Sequence, residues 1–175
     1  MELPNIFLVG PMGAGKSAVG RQLARLLRRE FHDSDAVIEA RTGVDIAYIF
    51  EKEGEAGFRR REREVIESLA ALDDIVLATG GGAVLDPANR EVLASRGLVV
   101  YLEASVEQQL ERTRSSGHRP LLETADPGAR LAALMQERGP LYGELAVMTI
   151  ATDGRHVREV AQDIRRRLMA RDKET

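Results

Sequence analysis

"NIFLVGPMGAGKS" (residues 5–17) runs an apolar segment into a glycine-rich turn and then into the start of a helix. Ile6, Phe7, Leu8 and Val9 are apolar without alternation, the pattern of a strand buried on both faces of a parallel sheet. The turn fits G-x-x-x-x-G-K-[ST] at every fixed position, through Gly10, Gly15, Lys16 and Ser17. Between a strand and a helix this pattern is a phosphate-binding loop. Its N–H groups form an anion nest, and the helix start adds its positive dipole end. Lys16 is placed to reach the β- and γ-phosphates of a nucleotide, and Ser17 to offer a hydroxyl to Mg²⁺. Nucleotide contacts are expected over Gly13, Ala14, Gly15, Lys16, Ser17 and Ala18.

Working outward, "IVLAT" (75–79), "LVVYLE" (98–103) and "VMTIAT" (147–152) read as further buried strands, with "EFHD" (30–33) a shorter candidate. Helical stripes fill the gaps. Val19, Leu23, Leu26 and Leu27 make one, and Phe58, Val65, Ile66, Leu69 and Leu72 another. Val157, Val160, Ile164 and Leu168 make a third. Asp86–Pro87 and Asp126–Pro127 read as N-caps followed by proline at the first helical position. Gly43 and Gly54 fall where left-handed C-caps would sit. Strands alternating with helices predict an α/β fold with right-handed crossovers and ligands beyond the carboxyl ends of the strands.

The 175 residues fit one domain, residues 1–175, with no repeat or linker dividing it. Hydrophobic residues make up 43% and charged residues 30%, and the net charge is −3, which gives no nucleic-acid footprint. No apolar run is long enough for a membrane span, and "MELPNIFLVG" lacks the basic start of a secretory signal. Cysteine is absent, which excludes disulfides and thiolate chemistry. A cytoplasmic enzyme is the expectation. Arginines outnumber lysines 22 to 3, so an arginine needs a motif before it is assigned a role.

Three other segments carry chemistry. "DSD" (33–35) sets two carboxylates two residues apart at the end of the second strand, where both would face one way. One could hold Mg²⁺ or its waters while the other accepts a hydrogen bond from a substrate hydroxyl; either could instead cap the next helix. "FRRRE" (58–62) puts Arg59 and Glu62 three apart on a helix, so the carboxylate can steady the guanidinium toward an anion; a solvated charged face is the alternative. Gly80, Gly81 and Gly82 end the third strand, although a tight turn explains only one glycine. A guanine-reading N-K-x-D segment is missing, which argues against a GTPase switch. His32, His118 and His156 are scattered and read as neither ligands nor bases.

Taken in order, "GPMGAGKS", "DSD", "FRRRE", "GGG", "RPLL" and "RGPLY" closely resemble shikimate kinase from about residue 4 to 168. The resemblance implies a five-stranded parallel sheet of the nucleoside-monophosphate-kinase type, flanked by helices and carrying a mobile lid at about 112–126. It implies a substrate-binding helical region at about 33–62. It also implies transfer of a phosphoryl group from ATP to the 3-hydroxyl of shikimate, with Mg²⁺, in the route to aromatic amino acids, by a monomer. By the same resemblance Asp33 is the metal-side aspartate and Asp35 grips the substrate hydroxyls. Arg59 and Arg138 bind the substrate carboxylate, with Glu62 positioning Arg59. Gly81 is the direct contact of the glycine loop, whose amides would face a flat polar ring too close to admit a side chain. Arg119 is the lid arginine that reaches the phosphates, and Arg112 stacks on adenine. Arg155 is a further adenine contact, in a segment that lacks the proline common in the family. Another small-metabolite kinase of the gluconate type, or a nucleotide-dependent switch, are the alternatives; the paired arginines favour a carboxylated cyclic polyol.

Overall fold

In the computed structural model, residues 3–114 and 122–174 are described. Five strands form one parallel sheet: β1 Asn5–Val9, β2 Glu30–Asp33, β3 Ile75–Ala78, β4 Gly97–Glu103 and β5 Met148–Ala151, in the order β2-β3-β1-β4-β5. Phe7 pairs with Leu77 on one side and Val99 on the other, so β1 is the central strand. Its neighbours diverge in chain order from there, and the first loop of the chain opens where a ligand crevice forms in such sheets.

Seven helices among the described residues cover the sheet: α1 Lys16–Leu27, α2 Ser34–Thr42, α3 Ile46–Ala70, α4 Pro87–Arg96, α5 Val106–Arg114, α6 Pro127–Leu145 and α7 Val157–Lys173. The unbroken apolarity of β1 is explained by burial on both sides. Phe7 and Val9 join a core with Phe58, Val65 and Ile66 of α3, Leu93 of α4 and Tyr142 of α6. Ile6 and Leu8 face the other way, onto Val19 and Leu23 of α1 and Val160, Ile164 and Leu168 of α7. Each fully buried Leu or Ile contributes about 1.5–3 kcal/mol of burial free energy. The stripe ends depart from expectation: Leu72 and Val157 are exposed, because each lies outside the two layers, one past the last turn of α3 and one in the first turn of α7.

Asp86 and Asp126 cap α4 and α6 as the proline signals predict, accepting from Ala88 N and Ala129 N. Gly43 closes α2 in the left-handed region at φ 74°. Gly54 differs: with φ 71° and ψ 179° it breaks α3 internally rather than ending it. The break separates a segment started by the Asp45 cap from the long segment that carries Arg59 and Glu62.

Candidate active site

The loop between β1 and α1 holds the phosphate motif. Gly15, in the left-handed region at φ 86°, occupies the N-cap of α1. Lys16 folds back over the loop, its Nζ donating to the carbonyls of Gly10 at 2.7 Å and Pro11 at 2.8 Å. Ser17 donates its hydroxyl to Asp33 Oδ2. The other oxygen, Asp33 Oδ1, accepts from Asp35 N at 2.9 Å and Ala36 N at 3.2 Å and so caps α2. Asp33 therefore caps α2 with one oxygen, as the alternative reading allowed, and meets the Ser17 hydroxyl with the other. A hydroxyl and a carboxylate oxygen side by side at the loop mouth are the hard donors that Mg²⁺ accepts, so the residues fit the cation.

The expectation that Asp33 and Asp35 share a strand face is not met. The strand ends at Asp33, and Asp35 stands in the first turn of α2. The helix carries the Asp35 carboxylate toward the glycine triplet instead: a β-carbon on Gly80 would lie 2.9 Å from Asp35 Oδ1 and 2.8 Å from Glu62 Oε2.

A cavity of about 370 Å³ lies beside the phosphate loop, and it gathers Asp35, Arg59, Gly80, Gly81, Gly82 and Arg138. It also takes in residues the sequence reading did not single out: Met12 from the loop, Glu39, Asp45, and an apolar wall of Ile46, Phe50 and Phe58. Glu39 follows Asp35 by one helical turn, a spacing that could have flagged it. Phe58 falls in a helical core stripe of the sequence, and nothing there marks it, Ile46 or Phe50 as facing a ligand.

Arg59 donates from Nη1 to Glu62 Oε1 at 2.9 Å and from Nη2 to Glu55 Oε1 at 3.2 Å, with its guanidinium 5.1 Å from the centre of the Phe58 ring. Burial alone would pull Arg59 down, but Glu62 and Glu55 outweigh it and hold the guanidinium above its ordinary value. Glu62 is fully buried. Burial pushes its carboxyl up despite the opposing pull of Arg59 and Arg138. Arg138, on α6, is 3% exposed. Arg59 Nε, Arg138 Nε and Glu62 Oε2 are buried without a hydrogen-bond partner among the described residues. Buried polar atoms are rarely left so, which marks this end of the cavity as a place where a polar ligand group would find partners.

At two positions of the glycine triplet the structure adds a cause that the sequence did not suggest. None of the three has positive φ, so no turn demands them. At Gly82 a β-carbon would enter the Arg59 guanidinium, 2.6 Å from Cζ, and at Gly80 it would press on Asp35 and Glu62. Two of the glycines thus make room for the protein's own site side chains. Gly81 lines the cavity, and a β-carbon there would meet Met12 N at 3.4 Å and Arg138 Nη1 and Gly10 O at 3.6 Å, ordinary contacts.

The adenine assignments are less direct. Arg112 lies over the phosphate loop, donating from Nη1 to the Gly13 carbonyl at 3.1 Å. Arg155 follows β5 on the same edge of the sheet, and its guanidinium reaches Ala151 O at 3.1 Å and Asp163 Oδ2 at 3.2 Å. Asp163 is nearly buried, which pushes it up, yet Arg167, Arg166 and Arg155 together hold it below its ordinary value. Arg119 and His118 lie outside the described residues.

Comparison with known proteins gives one answer. The family described as shikimate kinase matches residues 12–169. A shikimate kinase from Halorhodospira halophila is 60% identical over 159 residues, covering 91% of this chain and 90% of the relative. The solved structure of shikimate kinase from Acinetobacter baumannii in complex with shikimate is 53% identical, covers 97% of this chain and 94% of its own, and superposes with a TM-score of 0.95. A gluconokinase from Sinorhizobium meliloti, 17% identical over 98% of this chain and 94% of its own, has a TM-score of 0.65 and so shares the fold alone. The chain belongs to the shikimate kinase family.

Proposed function

We propose that this chain transfers the γ-phosphoryl group of ATP to the 3-hydroxyl of shikimate. One observation carries the reading: a single cavity beside the phosphate loop sets two arginines, Arg59 and Arg138, with the carboxylate of Asp35. Shikimate has one carboxylate and three ring hydroxyls. The arginines take the carboxylate, which turns the hydroxyls toward Asp35, and the apolar wall packs the ring. Asp35 accepts the hydrogen bond of the attacking hydroxyl and receives its proton as the oxygen–phosphorus bond forms. Lys16 leaves the Gly10 and Pro11 carbonyls for the β- and γ-phosphates, while Gly13, Ala14, Gly15 and Ala18 line the nest.

Ser17 and Asp33 would hold Mg²⁺, which when bound neutralises phosphate charge. Arg119, in a lid at about 112–126, stabilises charge on the phosphoryl group in transit, and Arg112 and Arg155 border the adenine. The region of about 33–62 carries the substrate contacts, Gly81 among them. The reading takes residues 1–175 as one domain and the enzyme as a cytoplasmic monomer.

Arg59→Lys and Asp35→Asn test it in steady-state kinetics with both substrates varied. Arg59→Lys keeps the charge but loses the planar fork, so KM for shikimate rises while KM for ATP hardly moves. Asp35→Asn lowers kcat instead. An effect of Arg59→Lys on ATP alone, or full kcat in Asp35→Asn, overturns the assignment.

A further inference from the structure

Tyr142 is fully buried on α6, one turn beyond Arg138, and its ring lies 5.1 Å from that of Tyr101. Its hydroxyl donates to the carbonyl of Gly81 at 2.5 Å. A hydroxyl placed at the bottom of a core is an expensive way to fill space, since phenylalanine would pack equally well without a polar atom to satisfy. The bond it makes falls on the middle residue of the glycine triplet, all three of which line the cavity.

The rest of the triplet is held as well. Gly80 N–H donates to the buried Ser34 hydroxyl at 3.1 Å, and the carbonyls of Gly80 and Gly82 accept from Ala83 N and Leu85 N, both at 3.1 Å. Among the described residues the N–H groups of Gly81 and Gly82 donate to nothing. The Ala83 N to Gly80 O bond closes a four-residue turn around the 81–82 peptide, and in such a turn glycine permits either orientation of the central peptide, so the hydrogen bond on the Gly81 carbonyl selects one. In a trans peptide the carbonyl and the following N–H point in opposite directions. With the Gly81 carbonyl drawn to the core by Tyr142, the Gly82 N–H is turned away from it.

We infer that Tyr142 is a positioning residue: by holding the Gly81 carbonyl it aims the Gly82 N–H as a hydrogen-bond donor to the acceptor substrate. The inference rests on the shikimate reading of the cavity. Burial also raises the Tyr142 hydroxyl well above its ordinary value, so it stays a donor throughout the working pH range.

Tyr142→Phe removes the hydroxyl and keeps the ring. Tyr101→Phe is the control, because it deletes a hydroxyl from the adjoining ring, which lies outside the cavity. Tyr142→Phe is expected to raise KM for shikimate about fivefold to tenfold, the loss of roughly one hydrogen bond. KM for ATP stays within twofold and kcat falls by a smaller factor than KM rises. Tyr101→Phe leaves KM for shikimate unmoved. Equal rises in both KM values, no rise for shikimate, or the same rise in Tyr101→Phe overturns the inference. If the unmodified enzyme fails to phosphorylate shikimate, the functional reading fails separately. The positioning role is then decided by crystal structures of the protein and of Tyr142→Phe, in which the 81–82 peptide must turn; an unchanged peptide refutes it.

Discussion

Glu62 Oε1 accepts the Arg59 Nη1 hydrogen bond at 2.9 Å from a position with no solvent exposure at all. An arginine on a helix surface would normally sample many rotamers. Here Glu62 fixes one, and the same carboxylate feels Arg138 from another helix. The cationic end of the cavity is therefore a three-residue unit assembled from α3 and α6.

Glu62→Gln replaces a charge-assisted bond with a neutral one of the same shape, a loss of about 1 kcal/mol, or roughly a fivefold to tenfold rise in KM for shikimate. A fall in KM would mean that Glu62 acts mainly as a counter-charge diluting the positive potential, and not as a positioner. Stability should move the other way with pH. Folded Glu62 keeps its proton to a higher pH than the unfolded chain does, so folding takes up a proton between about 4.3 and the raised value. The contribution is favourable at low pH and is lost as pH rises through the folded value. Relative to Glu62→Gln, the wild-type protein gains stability on acidification from neutrality toward about pH 4.3. Denaturant titrations across that range, showing a constant difference between the two proteins, would contradict the raised value.

The glycines separate by what they face. In Gly82→Ala the Arg59 fork must swing aside and leave buried Glu62, so the melting temperature falls and KM for shikimate rises. Gly80→Ala presses on buried Glu62 and on Asp35, and overpacking of this kind costs about 1–3 kcal/mol. Gly81→Ala is the least destabilising of the three and still raises KM for shikimate, because its methyl group would lie 3.6 Å from the Arg138 guanidinium. Thermal melts paired with kinetics on all three check the order; a Gly81→Ala melt as low as that of Gly80→Ala would refute it.

The strands and the phosphate loop were legible because their signals are local: an unbroken apolar run and fixed glycine spacing suffice. Asp33 and Asp35 show where locality fails. Their spacing is right, but whether the chain was still a strand at Asp35 depended on the Asp33 cap, which turns the backbone into α2 one residue after the strand ends. Gly80 and Gly82 show a second limit. Their lack of side chains answers to Glu62 and Arg59, roughly 20 residues away in sequence, and only the packing of α3 against the β3 end reveals that. Tyr142 carries no local signal either, since a tyrosine in a helical stripe looks the same whether or not its hydroxyl has a partner.

Lys16→Met removes the cation that the phosphate loop would deliver to the β- and γ-phosphates. Its Nζ donates to the Gly10 and Pro11 carbonyls of the loop, outside both apolar layers, and the variant is expected to fold. The expected loss in kcat is about 10²–10³-fold, the scale for removing one preorganised transition-state donor. Circular dichroism should match the wild-type protein. Turnover within tenfold of wild type in a folded variant would contradict the role.

The central claim is the identity of the acceptor, and the most direct measurement is ADP release by the purified chain with ATP and Mg²⁺, comparing shikimate with gluconate. Both are carboxylated polyols, and a gluconokinase shares this fold. In the proposed pose only shikimate would set a ring against the Phe50 and Phe58 wall with its carboxylate at Arg59 and Arg138, all of which line the cavity. ADP should appear in proportion to shikimate, with gluconate no different from buffer. Release with gluconate at a comparable rate, or none with shikimate, would contradict the account.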